Sequence, residues 1–255
     1  MDYLLPLAYV TLLWWLSTVL LLHRCGQPSR SYGATVCITG LLAVGGVALI
    51  VATRELATPA GAYLAFAGAL AAWGFHETTY LLGYVSGPRP LACPADARGF
   101  SRFAYGVRAS LYHELAIIAT VALFALLTAG GANRVGLWTF AALGLMRWST
   151  KLNIFFGVRN LHAEFWPPHL RYLQSYSRAR RMNPVFPFSA IAMTVASLLL
   201  LRSAIDAAAW SFDQVAALLL FGIVCLGIIE HLFLMLRVPD ELLWRAGTRS
   251  RREAG

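Results

Sequence analysis

Charge is scarce in this 255-residue chain: Asp, Glu, Lys and Arg make up 13% of it, about half the share of an average soluble domain. Lysine is nearly missing, since Lys151 is the only one among 21 basic residues. So little charge beside 58% hydrophobic residues excludes a disordered chain. Four cysteines are too few for a disulfide scaffold, and no two have CxxC spacing. We expect reduced thiols, with Cys25 and Cys93 on the cytoplasmic side and Cys37 and Cys225 inside spans. The sequence also lacks a GxxxxGK[ST] loop, a strand-borne GxGxxG, a GxSxG elbow and an HExxH zinc motif. His76-Glu77 and His113-Glu114 begin like that zinc motif, but Tyr80 and Ile117 stand where its second His belongs.

Long apolar runs take their place. A hydrocarbon core of about 30 Å needs about 20 apolar residues of helix. Seven stretches qualify: Leu4–Leu22, Gly33–Val51, Ala62–Val85, Ala109–Ala129, Val135–Val158, Phe186–Leu201 and Val215–Leu236. The expected fold is therefore all-α, a polytopic membrane helix bundle of about seven transmembrane helices. Residues 1–243 form a single domain in this reading, and 244–255 a disordered cytoplasmic tail.

The net charge of +9 does not point to nucleic acid, because the arginines alternate between loops. Sixteen lie in the first, third and fifth inter-span segments and in the tail after the seventh span, and only Arg54, Arg134 and Arg202 lie opposite. The positive-inside rule then puts the N-terminus in the periplasm and the C-terminus in the cytoplasm of a bacterial inner membrane. The first span has Asp2 and no basic residue ahead of it, so it reads as an anchor rather than a cleaved signal.

Half of the six histidines sit beside a glutamate: His76-Glu77, His113-Glu114 and Glu230-His231. A further group, His162, Glu164 and His169, follows the fifth span. His23, beside Arg24, reads as interfacial. At about 1.5 Å per residue the three span pairs fall within roughly 6–14 Å of the cytoplasmic surface. Lys151 shares that layer. Glu77, Glu114, Glu230, Arg147 and Lys151 together cost on the order of 15 kcal/mol to insert, so they must find partners inside the bundle.

Three arrangements satisfy that demand. Arg147 and Lys151, four apart on one helix face, can neutralise glutamates from spans three, four and seven. Alternatively His76, Glu77, His113, Glu114, Glu164, His169, Glu230 and His231 are a ligand pool for one or two ions of iron, manganese or zinc, with Lys151 a charge partner or proton carrier. A third possibility is axial ligation of a tetrapyrrole by one His. Adjacent residues point about 100° apart around a helix, so one member of each pair is the better placed.

After the fifth span, Leu170, Leu173 and Tyr176 recur every three residues, opposite Arg171, Gln174, Ser175 and Arg178. The segment from His169 to Arg181 reads as an amphipathic interfacial helix on the cytoplasmic side. Its Arg171 and Arg178 are candidates for holding acidic lipid, an acidic partner or tetrapyrrole propionates. The proline-rich stretch SGPRPLACPADARGFSR before the fourth span reads as an ordered or tethering loop.

RWSTKLNIFFGVRN followed by EFWPPHLRYLQSYS, together with WGFHETTYLLGY and LYHEL, resembles the PuhE family of photosynthetic complex assembly proteins. The likeness covers most of the chain, and Lys151–Ser175 is its most specific part. At Arg159 and His162 the chain departs from the family's usual residues, which favours His169 over His162 as a ligand. The resemblance implies an assembly factor for the reaction centre and its light-harvesting complex, linked to bacteriochlorophyll supply. Photosynthetic complex subunits, bacteriochlorophyll and membrane lipids are the partners it implies. The resemblance supplies no catalytic residue. A metal-dependent membrane oxidoreductase acting on a lipid-soluble bacteriochlorophyll precursor, or a tetrapyrrole carrier, are the alternatives.

Overall fold

Two helix starts show how local chemistry sets the elements. Thr58 accepts a hydrogen bond from the Gly61 amide at 3.1 Å, ahead of Pro59 in the first turn. Ser211 accepts one from the Gln214 amide at 3.2 Å, with Asp213 beside the positive end of the helix dipole. The computed structural model describes residues 2–161 and 167–236. Seven long helices follow one another: α1 (Leu4–Cys25), α2 (Tyr32–Thr53), α3 (Pro59–Leu81), α4 (Gly99–Leu127), α5 (Val135–Phe156), α6 (Val185–Asp206) and α7 (Phe212–Met235). Among the described residues there is no β-sheet, only an isolated bridge between Val158 and Ala179.

Five of these helices are long and apolar enough to cross a membrane: α1, α2 with the turn before it, α4, α6 and α7. The two others, α3 and α5, carry Glu77, Arg147 and Lys151. Both are enclosed by several helices. α3 packs against α1, α2, α4, α5 and α7, and α5 against α3, α4, α6 and α7. Their neighbours supply the apolar face, so these helices need less of their own. One core cluster joins Val10, Phe66, Leu143, Leu219 and Ile223. A second joins Ile50, Ile117, Phe124 and Phe140.

Several boundaries differ from the sequence expectation for identifiable reasons. α3 stops at Leu81 because Gly83 turns left-handed (φ +83°), where His169 lies against its missing side chain. α4 begins ten residues before Ala109, where Ser101 and Arg98 bond across its first turn, so the proline-rich stretch ends as helix. The rest of that stretch is a tied loop: Arg89 donates to Leu91 and Ala92 carbonyls at 3.2 and 2.9 Å, and Ser175 accepts from the Cys93 amide.

The expected interfacial helix is corrected in two respects. It is a 3-10 helix, Pro168–Tyr176, and it ends before Arg178 and Arg180. Three residues per turn put Leu170, Leu173 and Tyr176 on one face, as their spacing requires. That face is covered by Tyr80 and Ala109 of the bundle, not left for lipid. Beyond it the chain runs beside Val158, whose carbonyl accepts from the Arg180 amide at 2.9 Å. Arg102, only 6% exposed, donates to the carbonyls of Tyr176 and Phe155 and stacks 4.4 Å from the Phe155 ring. Arg102→Leu should therefore loosen this segment. Trypsin cleavage at Arg171 and Arg178 of the detergent-purified protein should accelerate several-fold, and an unchanged rate would contradict the fastening role.

The loops gather at two ends. Contacts such as Tyr32 and Gly83 with His169, and Arg159 with Leu234, bring three connections and the end of α7 to one end, while Arg54 and Asn133 join two connections at the other. Among the described residues the first end holds eleven arginines and the second three.

Candidate functional site

Helix periodicity places the site's side chains. On α3, His76, Glu77 and Tyr80 share one side within a single turn; on α5, Arg147 and Lys151 are one turn apart. α4 brings His113 and Glu114 opposite them. Arg147 Nη2 meets Glu77 Oε2 at 3.2 Å. Lys151 Nζ bonds Glu114 Oε1, and the other oxygen of Glu114 accepts from Trp148 Nε1 at 2.6 Å. Tyr80 lies between the two pairs: Lys151 Nζ is 4.4 Å and the Arg147 guanidinium 5.4 Å from its ring centre. These side chains are 12–25% exposed. Two ion pairs bridged by an aromatic face thus form one neutral, largely enclosed core, in keeping with the cost of burying unpaired charge.

His113 is fully buried against Tyr80, ring centres 4.4 Å apart. Its Nε2 is 3.7 Å from Glu77 Oε1, too far for a hydrogen bond, and neither ring nitrogen has a hydrogen-bond partner among the described residues.

Cavities lie on both sides of this core. The larger, about 550 Å³, is a cleft between α1 and α2 with α3 as its floor. α1 and α2 each pack on α3 and barely on each other, although Arg24 ties them at one end through Thr35. Leucines from both helices line the cleft, and Glu77, Arg147 and Glu230 make its polar side. The Glu230 carboxylate, on α7, takes a hydrogen bond from Trp14 on α1. The smaller cavity, about 390 Å³, lies between α4 and α5 and contains Lys151 and Glu114 in its wall. Arg147 and Thr150 face both spaces.

A family model described as a protein of unknown function, DUF3623, matches residues 1–254. The chain belongs to this DUF3623 family. It is 36% identical, over 91% of its own length and 85% of the relative's, to an uncharacterized 30.4 kDa protein in the puhA 5' region of Rhodobacter capsulatus. No solved structure matches.

For this DUF3623 chain the His/Glu pool divides. Each adjacent pair sends its glutamate toward the charged core or the cleft, while two of the three histidines turn elsewhere. His76 Nε2 is 2.9 Å from the Thr120 hydroxyl. His231 Nε2 meets Ser149 Oγ and its Nδ1 meets the Gly227 carbonyl, both at 2.8 Å. Ser149, Ser189, Asn153 and Asn183 continue that second polar strip between α5 and α6. His169 sits in the 3-10 helix, 2.9 Å from the Leu81 carbonyl. His162 and Glu164 lie outside the described residues. Among the described residues no three His, Cys, Asp or Glu side chains converge to hold a metal ion. The 100° step between neighbours separates the members of a pair, so His76 reaches Thr120 and His231 reaches Ser149, whereas His113 stays against the core beside Tyr80. Among the described residues, no histidine stands in the wall of either cavity. Arg171 and Arg178 are both exposed, and neither lines either of these two cavities.

Sequence reasoning missed Tyr80, Trp148 and Trp14. Tyr80 was within reach, lying three residues from Glu77 and four from His76. Trp14 was not, because it meets Glu230 across the two ends of the chain.

Proposed function

We propose that this DUF3623 chain is an assembly factor for the bacterial photosynthetic apparatus, handling a pigment-protein subunit or bacteriochlorophyll on its way to the reaction centre or antenna. In this reading all seven long helices span the inner membrane, with the arginine-rich end in the cytoplasm and the N-terminus outside. The supporting observation is the relative named for the puhA 5' region, a photosynthesis gene region, which aligns over most of both chains. The resemblance of Lys151–Ser175 to the PuhE assembly proteins agrees with it.

The cleft between α1 and α2 suits that task. It opens sideways between two lipid-facing helices, is apolar along its length, and has a polar side at Glu77, Arg147 and Glu230. Such a space accepts the apolar part of a membrane-resident client while one polar group is recognised. The ion pairs keep the polar side rigid without a net charge on the core.

The decisive experiment deletes the gene in a phototrophic host and records membrane absorption. Reaction-centre and antenna bands should fall together, and tagged protein should co-purify complex subunits or pigment. Normal bands and no co-purification would end the assembly reading. Near-stoichiometric iron, manganese or zinc in the purified protein would instead favour the metal-dependent oxidoreductase.

A further inference from the structure

The smaller cavity carries an inference that does not depend on the assembly role. Five aromatic side chains stand in its walls, Tyr80, Phe103, Trp148, Phe155 and Tyr176, with two cations, Lys151 and Arg147, the latter already paired with Glu77. The 3-10 helix closes one side through Leu173 and Tyr176. Tyr176 is itself held, donating to the Leu91 carbonyl at 2.9 Å and accepting from Arg89 at 2.6 Å. The wall is therefore preformed.

Lys151 has capacity left. An ammonium carries three donors. One goes to Glu114, and the Tyr80 face takes part of the charge. Both oxygens of Glu114 are already engaged, by Lys151 and Trp148, which leaves each oxygen one lone pair. The cavity thus offers a charged donor whose partner carboxylate is already bonded at both oxygens. It would take a molecule that brings an oxygen acceptor, and flat aromatic walls fit a ring better than an acyl chain.

We propose that the space between α4 and α5 is a binding site for a planar lipophile with a ring carbonyl, the quinone class, its oxygen taken by Lys151. Trp148, in the wall, reports on occupancy.

The test titrates detergent-purified full-length protein with menadione and follows tryptophan emission. Quenching should saturate, and the saturable part should be missing from Trp148→Phe. Lys151→Met should weaken the midpoint by about ten- to a hundred-fold, the worth of a charged hydrogen bond, whereas Lys151→Arg retains most of the binding. Gly106 supplies a variant outside the ion pairs: a Cβ there would stand 3.6 Å from Phe155 and Tyr176, ordinary contact, so Gly106→Leu fills the cavity. It should abolish saturable quenching, and it decides the matter if Lys151→Met does not fold. Menadione titrating Gly106→Leu like the wild type would overturn the site. So would palmitate displacing menadione completely, which would identify an acyl-chain pocket.

Discussion

Arg147→Met is expected to destabilise the protein by about 3–5 kcal/mol, the range for removing one partner of a buried ion pair. Glu77 would be left 12% exposed with its cation gone. His113 cannot substitute, since its Nε2 stands 3.7 Å away and lies outside hydrogen-bond reach. The charge would also be lost from beside Tyr80 and from the polar side of the cleft, where Glu230 lies. Thermal unfolding of the detergent-purified protein measures this. The double variant Arg147→Met, Glu77→Gln should recover most of the loss, because no unpaired carboxylate remains. Lys151→Met should cost less than Arg147→Met, since Glu114 keeps its bond from Trp148. An Arg147→Met transition equal to wild type would show that Glu77 is held by something other than this pair.

Gly46→Val should be nearly as damaging, by packing alone. A Cβ on Gly46 would overlap the Gly68 carbonyl, and a Cβ on Gly68 would overlap the Gly46 carbonyl. α2 and α3 therefore touch backbone to backbone, an approach that only small residues permit. Backbone cannot rotate away as a side chain can, so the cost should reach or exceed the top of the usual overpacking range of about 1–3 kcal/mol. Because α2 is one wall of the cleft and α3 its floor, client binding should fall with stability. Gly45→Val is the control one residue away: nothing lies within 4 Å of its Cβ position. Unfolding midpoints of the two variants should differ clearly, and equal midpoints would refute the close contact.

The ion pairs were legible before any coordinates, because the period of a helix acts within one helix. Arg147 and Lys151 are four apart, so one face must carry both, and glutamates in other spans were the available counter-charges. The same rule anticipated that each His-Glu pair would use one member more than the other. The choice of glutamate was beyond it. Which neighbour an edge of α3 or α7 faces depends on how the helix is rotated about its axis, and that rotation is set by packing such as Gly46 on Gly68. The 3-10 segment is similar. Its three-residue apolar spacing could be read directly, but its cover by Tyr80 and Ala109, and its fastening by Arg102, arise from residues some seventy positions away.

From the sequence alone came what local composition controls: long helices, the uneven arginine distribution, and the need for buried charges to pair. Only the tertiary structure decided which carboxylate meets which cation, that α1 and α2 part to leave a cleft, and that Lys151 faces a second, aromatic space. The physical reason is that apolar periodicity fixes how much of a helix is hidden, whereas the identity of what hides it follows from shape complementarity between segments far apart in the chain.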